Sequence, residues 1–341
     1  MSIWWIFPVA ATAALLLTGV LRRYALSRSL MDIPNERSSH SVPTPRGGGV
    51  AIVLIFLAGL PLLAIAGALP TGLLWGLLGA GAGVALVGFL DDHGHIAARW
   101  RLLAHFIAAG WALAWLGGLP ALTMGGFTLE LGWLGHLLAA TYLVWLLNLY
   151  NFMDGIDGIA GIEAVTVCLG GVLLYALASP GGFEWAAPLL LLVSVAGFLF
   201  WNYPPAKIFM GDAGSGFLGL ALGVLSLQAA WVAPELFWGW LILLGAFIVD
   251  ATVTLLRRVR RGEKFYEAHR SHAYQYASRK HGGHKTISLA FGAINLFWLL
   301  PVAALVAAGR LDGALGVLIA YAPLVWAAYR YKAGARQLQE V

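Results

Sequence analysis

The sequence predicts an all-α polytopic membrane protein, and three features carry that prediction: its composition, a train of long apolar runs and a lopsided placement of basic residues. Of the 341 residues, 60% are hydrophobic and only 11% charged, with a mean hydropathy of +0.80. So little polar side chain cannot cover a soluble globule of this size. A helix needs about 20 mostly apolar residues to cross the hydrocarbon core, and unpaired charge is costly inside it. Eleven such runs are present, at 3–21, 48–69, 71–90, 102–119, 133–150, 159–178, 185–203, 214–231, 236–256, 287–308 and 311–329, and together they make one domain over 1–341.

The first run, "MSIWWIFPVAATAALLLTGVLRRY", lacks a basic leader and carries Arg22 and Arg23 after its apolar stretch, which predicts a retained span rather than a cleaved signal. An odd number of spans puts the termini on opposite sides. The connections after odd-numbered spans, with the C-terminal tail, hold every one of the 21 Lys and Arg residues except Arg310. The N-terminus is therefore expected outside, and the tail in the cytoplasm. The longest connections are 22–47, punctuated by Pro and Gly, and 257–286, basic and His-rich. Cys168 stands alone inside a span, which excludes a disulfide framework. The net charge of +5 suits cytoplasmic loops facing anionic membrane lipids and would also suit phosphate-bearing substrates. No nucleic-acid partner is expected, and the 15 Trp residues read as interface anchors and bundle packing.

The polar residues gather on the inner connections: "DIPNERSSHSVPTPRGGG" (32–49), "DDHGHIAARWR" (91–101), "NFMDGIDG" (151–158), "PPAKIFMGDAGSG" (204–216) and "RRVRRGEKFYEAHRSHAYQYASRKHGGHK" (257–285). Asp91, Asp92, Asp154, Asp157 and Asp212 thus lie at the ends of four different apolar runs, on one side of the bilayer. A single interfacial carboxylate can be a solvated cap, but five beside glycines and other polar groups point to a shared site.

"NLYNFMDGIDGIAG" spaces Asn148, Asn151, Asp154 and Asp157 by three residues. Each step of three rotates a side chain by about 300° on an ideal helix, so the four cannot form one stripe. Gly155 and Gly158 favour a turn, and the helix is expected to end near Asn151 so that both aspartates swing toward one ligand. Adjacent Asp91 and Asp92 lie about 100° apart on a helix and are expected to do different work.

Carboxylates without cysteine, next to glycines and basic residues, suit Mg²⁺, which takes oxygen ligands and is usually held by one or two carboxylates together with substrate phosphates. Phosphoryl transfer then needs positioning and charge neutralisation. "GDAGSG" (211–216) could present Asp212 to the metal while Gly214, Ser215 and Gly216 open a helix whose N–H groups face a phosphate. It is not a P-loop, because the Gly-Lys-Ser/Thr ending is missing. His269, His272, His281 and His284 mimic zinc spacing, but the surrounding Arg and Lys would repel a dication, and "HRSH" suits a pyrophosphate better. Arg257, Arg258, Arg260 and Arg261 read as plain juxtamembrane charge, and Glu163 as an interfacial cap. Asp250 falls inside the ninth run, either as a paired structural acid or along a lipid route.

Together "NLYNFMDGIDGIAG", "GFLDD", "KIFMGDAGSGFLG" and "DIPNERSSHSVPTPRGGG" resemble, in content and order over residues 32 to about 285, the polyprenyl-phosphate N-acetylhexosamine-1-phosphate transferases. The resemblance implies ten or eleven spans, and a bacterial inner-membrane enzyme whose cytoplasmic loops join a UDP-N-acetyl sugar to undecaprenyl phosphate with Mg²⁺, or Mn²⁺, present. It implies Asp212 and Asp154 as metal ligands. Asp91, Asp92, Asp154, Asp157, His269 and His272 are implied as catalytic, with Asp91 the group that takes or orients the lipid phosphate proton. Asn148, Asn151, Arg46, Lys207, Gly214, Ser215 and Arg270 are the implied substrate contacts. A homodimer is a candidate assembly. "AHRSHAYQ" departs from the run of consecutive histidines typical of the peptidoglycan enzymes and resembles the O-antigen and lipopolysaccharide initiators, which favours GlcNAc, FucNAc or QuiNAc as the sugar. A polytopic transporter is the competing reading, and it would concentrate charge near the midplane instead.

Overall fold

The computed structural model describes residues 2–34, 40, 42–94, 96–263 and 269–335; parts of the 32–49, 91–101 and 257–285 motifs therefore lie outside the described residues. The chain forms helices α1 (Ile6–Ser27), α2 (Gly49–Ile65), α3 (Thr71–His93), α4 (Ala98–Leu116), α5 (Gly132–Met153), α6 (Ile159–Ala178), α7 (Ala186–Asn202) and α8 (Asp212–Val232). After these come α9 (Pro234–Leu243), α10 (Gly245–Arg260), α11 (Ala273–Lys280), α12 (His284–Ile294), a π-helical turn at Asn295–Leu299, α13 (Leu300–Ala307) and α14 (Gly313–Arg330). Two short antiparallel ladders interrupt the helices: β1 (Met31–Asp32) with β2 (Thr44–Pro45), and β3 (Leu122–Met124) with β4 (Phe127–Leu129).

Each apolar run falls on one helix or on a consecutive pair. Among the described residues seven helical stretches are long and apolar enough to cross a bilayer, eight if α9 and α10, bent by 66° at Leu244, count as one span. Helices α2 and α7, with 17 residues each, are shorter; at 1.5 Å per residue each covers about 26 Å, just under the hydrocarbon thickness.

Helix α8 is the axis of the bundle, and nearly all of it is buried. Its small residues make that possible: a Cβ at Gly219 would strike the Leu146 carbonyl, and one at Gly223 would lie 2.8 Å from Leu143, so α5 packs almost backbone to backbone against it. On the perimeter Leu16, Ile107, Phe297 and Trp326 are exposed, an apolar surface suited to acyl chains.

Arg22, near the end of α1, donates its Nε–H to the Lys207 carbonyl (3.1 Å), and beyond α14 the Gly334 N–H donates to Ser271 O (2.6 Å). The end of α1 and the end of α14 therefore share one face of the bundle, while the β3–β4 hairpin closes the other. There the Gly125 N–H donates to Asp312 (2.7 Å) and the Trp238 indole donates to Thr123 O (2.8 Å).

Candidate active site

The site is assembled where α3, α5 and α8 meet. Gly88 lets the end of α3 approach the start of α8; a Cβ there would lie 2.6 Å from the Asp212 carbonyl oxygen and the Ala213 nitrogen. Four residues on, the Asp92 carboxylate accepts the first-turn N–H groups of Asp212 (3.2 Å) and Ala213 (3.3 Å). A helix start leaves such donors unpaired, so Asp92 is a cap supplied from another helix. Arg46 secures it, donating Nη2–H to the Asp92 carbonyl, with Nη1 4.0 Å from the carboxylate. Asp91 turns elsewhere: it pairs with Arg101 and accepts the Ile96 N–H at 2.9 Å. Arg101 also stands 3.8 Å from Asp212 Oδ2.

Asn151 donates one amide group to Asp212 Oδ1 (2.8 Å) and to Ser215 Oγ (3.0 Å), fixing the Asp212 carboxylate over the α8 terminus. Helix α5 ends at Met153, and the chain turns through Asp154–Gly158, where Gly158 has φ 75° and donates its N–H to Asn202 Oδ1 at 3.0 Å. Asp157 is held on three sides: Ala206 N–H donates to Oδ2 (3.0 Å), His284 Nδ1 lies 3.1 Å from Oδ1, and the Ser288 hydroxyl donates to its carbonyl (2.7 Å). Burial alone would raise its pKa, but the His284 and Ala206 contacts hold it below the usual carboxylate range. Asp154 is the opposite case. Among the described residues no hydrogen bond or ion pair reaches its carboxylate, and burial followed by the charges of Asp212, Asp157 and Asp92 pushes its pKa well above the usual value.

Asp92, Asn151, Asp154, Asp157 and Asp212 line one polar cavity of about 220 Å³, together with Arg46, His40, Gln275 and His284. A second cavity of about 590 Å³ runs between α3, α4, α5 and α8. Its walls are apolar (Val84, Leu102, Phe106, Val144, Trp145), and its mouth carries Asp91, Arg99, Arg101 and Asn148. Asn151 and Asp212 line both.

Among the described residues no three His, Cys, Asp or Glu side chains come close enough to enclose a metal ion by themselves. The donor set instead suits a dication held by one or two carboxylates and completed by substrate oxygens and water, as Mg²⁺ usually is. Asp154, without a partner and repelled by its neighbours, and Asp212 are the residues that could hold it.

Residues 74–230 match the family model described as "Glycosyl transferase family 4". A decaprenyl-phosphate N-acetylglucosaminephosphotransferase of Mycobacterium tuberculosis is 30% identical over 341 aligned positions, covering 86% of this chain and 83% of that protein. The chain belongs to glycosyl transferase family 4. Other similar relatives are a probable undecaprenyl-phosphate N-acetylglucosaminyl 1-phosphate transferase of Bacillus subtilis, 29% identical over 79% of this chain and 75% of that protein, and a phospho-N-acetylmuramoyl-pentapeptide-transferase of Synechococcus elongatus, 28% identical over 74% and 70%. The glycosyl transferase family 4 match includes the α3, α5 and α8 parts of the site but not Arg46 or the His-rich loop.

Several expected contacts sit elsewhere. Gly214 presents no N–H to a phosphate: its amide donates to Gly211 O (3.1 Å), and its missing side chain admits Gly49, whose Cα would lie 2.6 Å from a Cβ. Ser215 likewise donates its N–H to Gly211 O, although its hydroxyl meets Asn151 at the cavity wall. The first N–H groups of α8 face Asp92 instead of an open anion site. Lys207 points away from the cavity, with Nζ 5.7 Å from the Trp201 ring centre and 5.9 Å from that of Phe200. Asn148 bonds Val144 O (2.7 Å), 3.5 Å from His105, on the apolar groove.

His269, Arg270 and His272 line neither cavity. His272 stacks on His269 at 4.9 Å and lies 3.3 Å from Asp250. Burial, then His272 and Arg258, lower the His269 pKa to about 3, so its ring is neutral. Arg270 lies near Arg279. Asp250 is structural: it accepts the N–H groups of Ala273 and Tyr274, both at 2.9 Å, and so caps α11. Glu163 is no interfacial cap but fully buried, and Arg258 is no solvated charge, being 4% exposed and bonded to Glu263 at 2.9 Å. Among the cavity residues that escaped sequence reasoning are Arg101, His40, Gln275 and His284. Arg101, ten positions after Asp91 in "DDHGHIAARWR", and His284, last of the His-rich run, left the clearest trace.

Proposed function

We propose that this chain transfers an N-acetylhexosamine 1-phosphate from a UDP-sugar to a polyprenyl phosphate, giving a polyprenyl-diphosphate sugar and UMP. The observation that carries this reading is the junction of the two cavities. A small carboxylate-lined chamber and a long apolar groove share Asn151 and Asp212, so a polar diphosphate and an isoprenoid tail can meet at one point. An oxygen of the lipid phosphate attacks the sugar-bearing phosphorus, a P–O bond forms there, and the bond to the bridging oxygen breaks to release UMP. Mg²⁺ held by Asp212 and Asp154 would supply neutralisation of the diphosphate charge. Asn151 holds the Asp212 carboxylate in place, Asp92 pins the α8 terminus beneath it, and Asp91 orients Arg101 toward the lipid phosphate at the groove mouth. Asp157, clamped by His284 and Ala206, shapes the donor side.

The apolar groove suits an isoprenoid tail such as that of undecaprenyl phosphate, the names of two of these relatives favour GlcNAc as sugar, and the likeness of "AHRSHAYQ" to the O-antigen initiators keeps FucNAc or QuiNAc as alternatives. In this reading the enzyme initiates an O-antigen, lipopolysaccharide or related envelope glycan at the bacterial inner membrane, with the site facing the cytoplasm. The clustering of charge at one end of the bundle rather than at its midplane disfavours a transporter. Purified protein with UDP-GlcNAc, undecaprenyl phosphate and Mg²⁺ should release UMP together with a lipid-diphosphate sugar, and EDTA should stop it. No product with any of a panel of UDP-N-acetyl sugars would overturn the reading.

A further inference from the structure

Among the buried oxygen atoms of the described residues that are left without partners, two belong to side chains already bonded to each other. Glu163, fully buried on α6, accepts at Oε2 from Asn295 Nδ2 (2.8 Å), and the same amide donates to Thr166 Oγ1 (2.8 Å). Both amide protons are thereby used. Glu163 Oε1 and Asn295 Oδ1 remain buried with no hydrogen-bond partner. An ionised Glu163 would be a buried charge supported only by neutral donors, the Asn295 amide and the Phe247 N–H, and the Asn295 carbonyl would still be bare. One added proton resolves both. A carboxylic acid donating Oε1–H to Asn295 Oδ1 closes a two-bond ring with the Asn295 Nδ2–H to Oε2 contact. The first-turn N–H of Phe247, at the start of α10, faces the same carboxyl and would favour the ionised form, yet Oε1 has no hydrogen-bond partner.

We propose that Glu163 is a neutral carboxylic acid locked to Asn295 in this ring, and that the ring sets the register of α12 on α6. His284, Ser288, Gly292 and Asn295, spaced by four, four and three residues, share one face of α12 and its continuation. At one end of that stripe His284 and Ser288 hold Asp157; in the middle Gly292 packs so closely that a Cβ would lie 2.9 Å from Ile162. At the other end Asn295 is pinned by Glu163, where the helix widens into its single π-helical turn, a feature frequent at functional sites. Glu163 and Asn295 are thus positioning residues. Their effect on turnover rests on the proposed function; the protonation state does not.

Glu163→Gln tests this directly, because a carboxamide keeps both bonds of the ring. Its turnover and melting temperature should stay within about twofold and a degree or two of the parent, while Glu163→Leu and Asn295→Leu melt lower and turn over about tenfold more slowly or worse. An infrared difference spectrum between parent and Glu163→Gln at pH about 8 should show the loss of a carboxylic-acid C=O band. Loss of a carboxylate band instead, or a Glu163→Gln variant as impaired as Glu163→Leu, overturns the proposal. If the leucine variants fail to fold, the Gln variant and the spectrum still decide. If the parent shows no transferase activity, the melting and infrared results still stand.

Discussion

Asp92→Ala would remove the acceptor for two first-turn N–H groups of α8. The bonds it loses, at 3.2 and 3.3 Å, are at the long end for their type, so each contributes toward the lower part of the usual 0.5–1.5 kcal/mol range. Together they amount to about 1–2 kcal/mol, the size of a lost helix cap. The functional cost should be larger than the stability cost, because Asp212 is the residue whose N–H is released, and a shift of about 1 Å at a reacting centre can cost about 100-fold in rate. Asp92→Asn retains one carbonyl acceptor and should lose about 1 kcal/mol or less, with turnover down by about tenfold at most. Asp212→Asn, by contrast, removes the proposed metal ligand and should abolish turnover without unfolding the protein. The assay is UMP release from UDP-GlcNAc alongside thermal melting of each purified variant. If Asp92→Asn were as inactive as Asp212→Asn at an unchanged melting temperature, Asp92 would act on the reacting atoms, and the capping argument would be refuted.

Asp157 makes a pH prediction. Its folded-state pKa is depressed, so it contributes stability that is present above the unfolded value of about 3.8 and lost as pH falls through the folded value; Asp157→Asn should flatten the fall in melting temperature as pH drops below about 3.8. Arg258→Leu leaves Glu263 without its nearest buried partner and should destabilise by about 1–3 kcal/mol in denaturant melts, whereas an ordinary juxtamembrane arginine would change little. Gly214→Ala places a Cβ 2.5 Å from Met210 Cγ and 2.6 Å from the Gly49 backbone, an overpacking expected to cost about 1–3 kcal/mol; unchanged melting would show that α2 and α8 can separate freely. Arg101→Gln should raise the KM for the lipid acceptor by about tenfold and leave that for the UDP-sugar nearly unchanged; the reverse pattern would move Arg101 to the donor side.

The bundle and its polar end were legible without coordinates, because hydropathy and basic-residue placement report directly on the solvent each segment meets. The motif spacing also showed which loops must meet: Asp92, Asp154, Asp157 and Asp212, from the ends of four runs, line one cavity. The break after α5 and the divergence of Asp91 from Asp92 followed from helix geometry alone. Direction and partnership were not legible. Lys207 looked like a phosphate ligand and lies on aromatic rings; Gly214 looked like a phosphate cradle and is a packing contact. His272 looked catalytic but lies beside Asp250, an acid that read equally as a paired structural group or part of a lipid route and that caps α11.

What the amino-acid order determined by itself was therefore membrane residence, the segregation of charge and the set of loops that carry chemistry. What only the tertiary structure decided was the role of each polar side chain, because a carboxylate or a histidine takes its role from the groups facing it across neighbouring helices. Those neighbours are set by close approaches such as Gly88 against α8 and Gly49 against Gly214, between residues far apart in the chain.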